Sequence, residues 1–388
     1  MRPRDDLDFP FGEYQNRLQA LREQMQTRAI DVLLVTTPEN IFYLTGFQTT
    51  GFASFQALVV PLSGEPFSVT RVLEDTGIQA MTWLELSRPY PDDADPIERL
   101  VDALKEFGYD HQRVGYERDS WFLTAPQRDQ LFGLCPHTEF ASTVKLVEEL
   151  RLIKSGLELD KMRAASRAME AGVRAGIDAV APGVSDHDLA AEIHYAMYKA
   201  GSDYPSVSPF IAIGSHGAVG HATWKGQVAS AGDTVFIEVG GAKARYHSAI
   251  MRTVAIGEPD DVTKQASQTV LDAVDAALDA VRPGARVCDV DAVSRAIFSA
   301  RCPTFGGRQL SRSGYSIGIA FPPDWGEGHM LSFHAGETRE LEPNMVFHLI
   351  PWIVVPGKQA MGFSETVRVS EDGYELLSQF ERKLFVKA

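Results

Sequence analysis

Apolar residues recur along this chain with two different periods, and the changes of period divide it into elements. In residues 12–28, Leu18, Leu21 and Met25 fall three and four apart, which predicts an amphipathic helix. Residues 30–35 (IDVLLV) are nearly all apolar, as in a strand covered on both faces. Pro38-Glu39-Asn40 punctuates that run, and a new element starts over 41–46. Further strands are expected at 57–61, 67–70 and 113–117, with a helix at 97–107. Helix-like and strand-like stretches alternate to about residue 140, which predicts a compact α/β domain. It contains no glycine-rich loop of the kind that cradles phosphate.

Residues 144–177 read as mostly helical and mark a boundary, with Gly156 dividing them into two helices. On the second, Met162, Ala165, Met169 and Val173 make an apolar stripe, read as core. Pro182-Gly183 ends it. Ser185, with Asp188 three residues on, has the pattern of a capping box opening a third helix, with Leu189, Ile193 and Met197 on one face. A strand at 210–213 leads to a histidine-bearing loop and a turn at Ala231-Gly232-Asp233. A strand at 234–239, a glycine turn at Gly240-Gly241 and a second strand come next. Helices at 262–281 and 288–300 follow, then strands at 316–320, 345–353 and 364–369. Two helix pairs interleaved with strand groups predict an α+β region with an internally duplicated layout.

Composition narrows the class. At 388 residues the chain is too long for one ordinary core, so two domains are expected. It is 44% hydrophobic and 23% charged, with a mean hydropathy of −0.13. No apolar run approaches the roughly 18 residues of a membrane span, so no membrane partner is expected. The first residues carry charges but no apolar stretch, which argues against a secretory signal. Cys135, Cys288 and Cys302 are widely spaced, making neither a disulfide framework nor a metal cluster. A cytoplasmic location is the expectation. A net charge of −15 disfavours a nucleic-acid partner and suits a small cationic or zwitterionic substrate.

Candidate chemistry concentrates in residues 221–253. Side chains alternate along a strand, so Phe236 and Glu238 share a face. Glu238 is then an acid among Val235, Ile237 and Val239, and a buried carboxylate needs a partner or a task. His221 lies in the preceding loop. A histidine and a glutamate offered to one cavity are the minimum for activating a water, although such a pair is more often a structural hydrogen bond. Arg71, after the strand at 67–70, is a candidate to bind a substrate carboxylate; a surface ion pair is the commoner role for such a residue.

Several motifs carry a family resemblance. In order they are Arg151-Leu152-Ile153-Lys154-Ser155, Gly232-Asp233, Arg252-Thr253, Gly314-Tyr315-Ser316-Ile317-Gly318, Leu341-Glu342-Pro343-Asn344-Met345 and Glu371-Asp372-Gly373. Together they resemble the creatinase/prolidase/methionine-aminopeptidase family across essentially the whole chain. The resemblance implies a pita-bread catalytic domain over 151–388, preceded by a smaller creatinase-type α/β domain over 1–150. Metallopeptidase members hold two metal ions with two Asp, one His and two Glu. Matched here, those positions fall on Glu238, Ala249, Tyr315, Ile350 and Ser364, the last beside Glu365. One acid, or two, does not assemble a dinuclear centre, so no metal and no cofactor is expected.

His221 stands near the spacing at which creatinase carries its catalytic histidine, whereas Met251 replaces an acid of its guanidinium-binding pattern. Residues 321–327 (FPPDWGE) and 341–351, with Ser202-Asp203-Tyr204-Pro205 and Arg245-Tyr246-His247, look like the ectoine-hydrolase branch. That branch opens a cyclic amidine to an N-acetyl-diaminobutyrate. The resemblance thus implies a metal-independent hydrolase of a C–N bond, with His221 and Glu238 catalytic. The candidates to line the substrate site are Trp224, Tyr315 and His348, each with core packing as the alternative, Asp324, with a solvated turn as the alternative, and Glu365, which pairs either with the substrate cation or with Arg252. Arg71 joins them as the candidate carboxylate binder. The alternatives are a creatinase-like hydrolase of a guanidino acid, a metal-dependent Xaa-Pro peptidase and a non-catalytic binding module. A homodimer is also implied, with the partner's N-terminal domain near the active site and Phe52 and Phe55 as its contribution.

Overall fold

The first apolar run becomes β1 (Val32–Val35), buried along its whole length inside a six-stranded sheet. The computed structural model describes residues 1–388, which divide into two compact units, Met1–Arg151 and Leu152–Ala388. In the first unit β1 is joined by β2 (Ala57–Pro61), β3 (Phe67–Val69), β4 (Leu86–Ser87), β5 (Arg113–Tyr116) and β6 (Glu139–Ser142). Their order is β4-β3-β2-β1-β5-β6, with β1 antiparallel to β2 and parallel to β5. Helices α1 (Phe11–Thr27), α2 (Pro38–Thr45), α3 (Val72–Met81), α4 (Pro96–Glu106) and α5 (Ala125–Leu134) alternate with the strands, and α6 (Leu146–Leu152) closes the unit. Helix α1 buries Leu18, Leu21 and Met25, the stripe its spacing predicts.

Two residues of this unit that carried an expectation make contacts within it. Arg71 forks onto the carboxylate of Glu74 at 2.7 and 2.8 Å, at the start of α3, so its guanidinium is committed to a local ion pair. Phe55 is buried in the unit's own core, and its carbonyl accepts from Tyr90 Oη at 2.6 Å. Phe52 packs edge-on against Phe122 at 6.1 Å between ring centroids.

The second unit sets a helix pair against a sheet twice, the layout expected of a pita-bread domain. Capping boxes open both helices of the first pair, α7 (Gly156–Ala179) at Ser155 and α8 (Asp186–Lys199) at Ser185. They pack on a sheet ordered β17-β9-β8-β7, from β7 (Phe210–Ile213), β8 (Thr234–Lys243), β9 (Tyr246–Ile256) and β17 (Phe385–Lys387). Met169, Val173, Ile177, Ile193 and Met197 from the helices meet Val235, Ile237, Val239, Ile250 and Val254 from the strands. The second pair is α9 (Asp261–Ala280) and α10 (Val287–Arg301). It faces a sheet ordered β11-β10-β12-β15-β16, built of β10 (Gly314–Ser316), β11 (Ser332–Phe333), β12 (Val346–Leu349), β15 (Glu365–Val369) and β16 (Tyr374–Leu376). Between them β13 (Trp352–Val355) and β14 (Gln359–Gly362) form a hairpin. No helix is long and apolar enough to cross a membrane.

The expected glycine turn at Gly240-Gly241 is not there. Strand β8 runs straight through both residues, and the chain reverses at Ala244 and Arg245, whose φ values are 46° and 61°. A Cβ on Gly241 would lie 2.4 Å from the carbonyl oxygen of Ala165. These glycines mark close approach of neighbouring groups to a strand, not a turn. The strand expected at 345–353 is two, split at Ile350-Pro351, where proline has no N–H to pair. The strand expected at 316–320 is confined to Gly314–Ser316.

Candidate active site

Alternation along β8 creates the site. Val235, Ile237 and Val239 enter the core under α7 and α8, so Phe236, Glu238 and Gly240 face the opposite way. Glu238 keeps 7% of its surface exposed, and no side-chain hydrogen bond or ion pair from the protein reaches its carboxyl. Burial first, and the negative charge of Asp324 second, push it up to about 8, so the carboxyl is largely neutral at pH 7. Asp324 itself is exposed, its Oδ1 accepting from Gly326 N at 2.9 Å.

Aromatic residues stand on the same face of the strand. Phe210 on β7 is the cross-strand partner of Glu238. Its ring stands 5.5 Å from Trp325, edge to face, and 5.6 Å from the ring of His221. His221 is exposed, with a left-handed φ of 56°, and shares no hydrogen bond with Glu238. The two expected catalytic residues therefore flank Phe210 instead of pairing directly.

Trp325 is tied into the second sheet. Its Nε1 donates to Tyr315 Oη at 2.9 Å. Tyr315 on β10 stands opposite His348 on β12, and Tyr315 Oη lies 2.9 Å from His348 Nδ1. His348 Nε2 lies 2.6 Å from Ser364 Oγ, which also accepts from the backbone N–H of Met251 at 2.6 Å. Met251 is in turn the β9 partner of Glu238, so the string of bonds returns to the strand it faces. Burial, with Arg312 and Arg252 nearby, lowers His348 to about 3, so its imidazole is neutral. Burial also raises Tyr315 well above the ordinary phenol value, and the charge of Glu238 adds to it.

The structure gathers Glu238, Tyr315 and His348, with Asp324 acting on the first two through its charge. Two expected binding residues stand elsewhere. Trp224 packs against the α7–α8 core, edge-on to His194 at 6.0 Å, where its ring completes apolar packing. Glu365 is held by Arg252 at 2.9 Å and by Arg382 at 3.2 Å. Burial raises Glu365 although both arginines oppose the shift, and Arg252 is itself buried and bonded to several carbonyls. That pair is an internal brace. Phe210 carries no local signal of a place in the site, since cross-strand register alone sets it beside Glu238.

With this geometry described, comparison with known proteins places the chain. The profile of metallopeptidase family M24 matches residues 160–371, and that of the creatinase/prolidase N-terminal domain matches residues 17–153. The chain belongs to metallopeptidase family M24, in the two-domain creatinase/prolidase architecture with a pita-bread domain. It is 32% identical to an ectoine hydrolase of Halomonas elongata, covering 98% of this chain and 99% of that protein. Among solved structures it is similar to dipeptidase PepE of Mycobacterium ulcerans, with 25% identity, a TM-score of 0.82 and coverage of 97% and 99%. A prolidase of Thermococcus sibiricus matches its fold with a TM-score of 0.85 at 22% identity, covering 96% and 99%.

The family implies a metal centre, and the residues here do not fit one. Ala249 and Ile350, at two of the five matched positions, offer no donor atom. The oxygens of Tyr315 and Ser364, at two more, already serve the hydrogen-bond string through His348. No group of three or more His, Cys, Asp or Glu side chains is arranged to hold a metal ion. Glu238 is the remaining acid.

Proposed function

We propose that this chain is a metal-independent hydrolase that opens the C–N bond of a cyclic amidine, with ectoine as the substrate and an N-acetyl-diaminobutyrate as the product. The observation that carries the reading is Glu238, a buried carboxyl without a protein partner, set among the rings of Phe210 and Trp325. Such a site suits a planar organic cation, which pairs with the carboxylate and packs on the aromatic faces. The 32% likeness to an ectoine hydrolase over nearly the full length points to the same substrate class.

The chemistry follows from the cation. An amidinium carbon is already electrophilic and needs no Lewis acid, and a metal ion would repel it. The charge of the bound cation favours ionised Glu238, which holds an amidinium N–H. His221 takes a proton from the water that attacks the amidine carbon, then returns it to the departing nitrogen as the C–N bond breaks. General acid–base help of this kind contributes about 10²–10⁴-fold.

The test is incubation of the purified protein with ectoine and with chelator, read by mass spectrometry. Formation of the acetylated diaminobutyrate, undiminished by chelator, is the expected result. Release of proline from an Xaa-Pro dipeptide that chelator abolishes would overturn the reading in favour of a metallopeptidase.

A further inference from the structure

The hydrogen-bond string beside Glu238 contains one proton more than it can use. Its donors are the N–H of Trp325, the O–H of Tyr315, the single N–H of neutral His348, the O–H of Ser364 and the backbone N–H of Met251. Its bonds number one fewer: Trp325 to Tyr315, Tyr315 with His348, His348 with Ser364, and Met251 to Ser364. Trp325 and Met251 donate in only one direction, so the surplus proton sits at one of two places. If Tyr315 donates to His348, then His348 donates to Ser364, and the Ser364 hydroxyl proton is stranded. If Ser364 donates to His348 Nε2, then His348 Nδ1 donates to Tyr315, and the Tyr315 proton is left over.

Burial decides between them. Ser364 is fully buried, and its oxygen has no neighbour beyond His348 and Met251. A donor stranded there loses its hydrogen bond to water and gains none in return. Tyr315 is 7% exposed, lies near enough to Glu238 to feel its charge, and has no hydrogen bonds beyond Trp325 and His348. The second arrangement satisfies every fully buried donor and places the surplus at the site.

We infer that the string runs from Ser364 through His348 to Tyr315, and that Tyr315 offers its hydroxyl proton to the bound molecule as a specificity-determining donor. This rests on reading the Glu238 site as the place where a small cation binds. The cation occupies Glu238, so the donor beside it selects a ligand that also carries an acceptor oxygen. The substrate class is thereby narrowed to zwitterions, an amidinium with a carboxylate, over simple amidines. The residues that replaced metal ligands at Tyr315 and Ser364 have become a polarised support for one hydroxyl.

Two measurements test this. The first is nitrogen-15 NMR of the imidazoles in the whole protein, with His348→Asn identifying the His348 signals. The Nδ1–H tautomer is expected; the Nε2–H tautomer overturns the inference. This readout needs no activity, so it stands or falls apart from the ectoine reading. The second compares Tyr315→Phe with the parent on two probes, ectoine and 2-methyl-1,4,5,6-tetrahydropyrimidine, which lacks the carboxylate. Affinity for ectoine should fall about tenfold or more, the worth of a hydrogen bond to a charged group, with little change for the carboxylate-free amidine. Equal losses on both probes, the mark of a disturbed Trp325 wall, would overturn the donor role. If the variant fails to fold, the tautomer decides alone.

Discussion

Gly240 leaves the space that the indole of Trp325 fills: a Cβ at position 240 would stand 2.6 Å from Trp325 Cε3. The absent side chain on β8 is what lets the ring lie beside Glu238, two residues away on the same face. Gly240→Ala should push the indole off Tyr315 Oη and cost about 1–3 kcal/mol by overpacking. Turnover of ectoine should fall further than the loss of stability explains. Thermal unfolding and steady-state kinetics on the same preparation check this, and a variant with unchanged kinetics would show that the ring is not a wall of the site.

Glu238 makes stability depend on pH with a sign opposite to most carboxylates. Its folded value of about 8 lies above the ordinary 4.5, so the folded protein holds an extra proton between those limits. Stability from this group is full below that window and is lost as pH rises through it. Relative to Glu238→Gln, the parent should weaken by an amount on the order of a few kcal/mol between mildly acidic and alkaline pH. Denaturant titrations of both proteins across that range measure the difference; parallel curves would contradict the raised value.

The same carboxyl should announce ligand binding. A cation seated beside neutral Glu238 favours its ionised form, so binding near pH 7 should expel a proton that binding well above pH 8 does not. Calorimetry with ectoine in buffers of different ionisation enthalpy counts that proton. No release at neutral pH would mean the cation sits elsewhere.

His221 is exposed, and its ring stands 5.6 Å from that of Phe210. His221→Ala should therefore leave the unfolding temperature nearly unchanged while turnover falls by about 10²–10⁴-fold. Retained activity would remove His221 from the mechanism.

Lys154 and Glu327 form a fully buried ion pair at 2.8 Å within the second unit, where Glu327 also accepts from the hydroxyl of Ser316, the neighbour of Tyr315. Lys154→Met would take the ammonium away from the buried Glu327 carboxylate and should destabilise by about 3–5 kcal/mol. Chemical denaturation checks it. A stability near that of the parent would show the pair to be replaceable.

Much of this architecture is legible in residue order because its causes are local. Capping residues Ser155 and Ser185, the apolar stripe of α7 and the acid set in the apolar run of β8 are each readable within a few residues. The misreadings share one origin. Gly240 and Gly241 look like a turn until Trp325 and Ala165 are known to lie against them, and Trp224 looks like a cation platform until α8 covers it. For Glu365 the sequence leaves a substrate cation and Arg252 open as partners, and the fold gives it Arg252 together with Arg382.

Periodicity, capping and proline placement are properties of neighbours in the chain, and they determined the helices, most strands and the presence of an unusual glutamate. Family resemblance in the ordered motifs added the architecture. The contents of the site were decided by tertiary structure: Phe210 reaches Glu238 by antiparallel register, and Tyr315 meets His348 across β10 and β12. Ser364 and Trp325 arrive from segments far apart in sequence. Register and loop closure join residues that share no local pattern, and only folding brings their polar atoms within hydrogen-bonding reach.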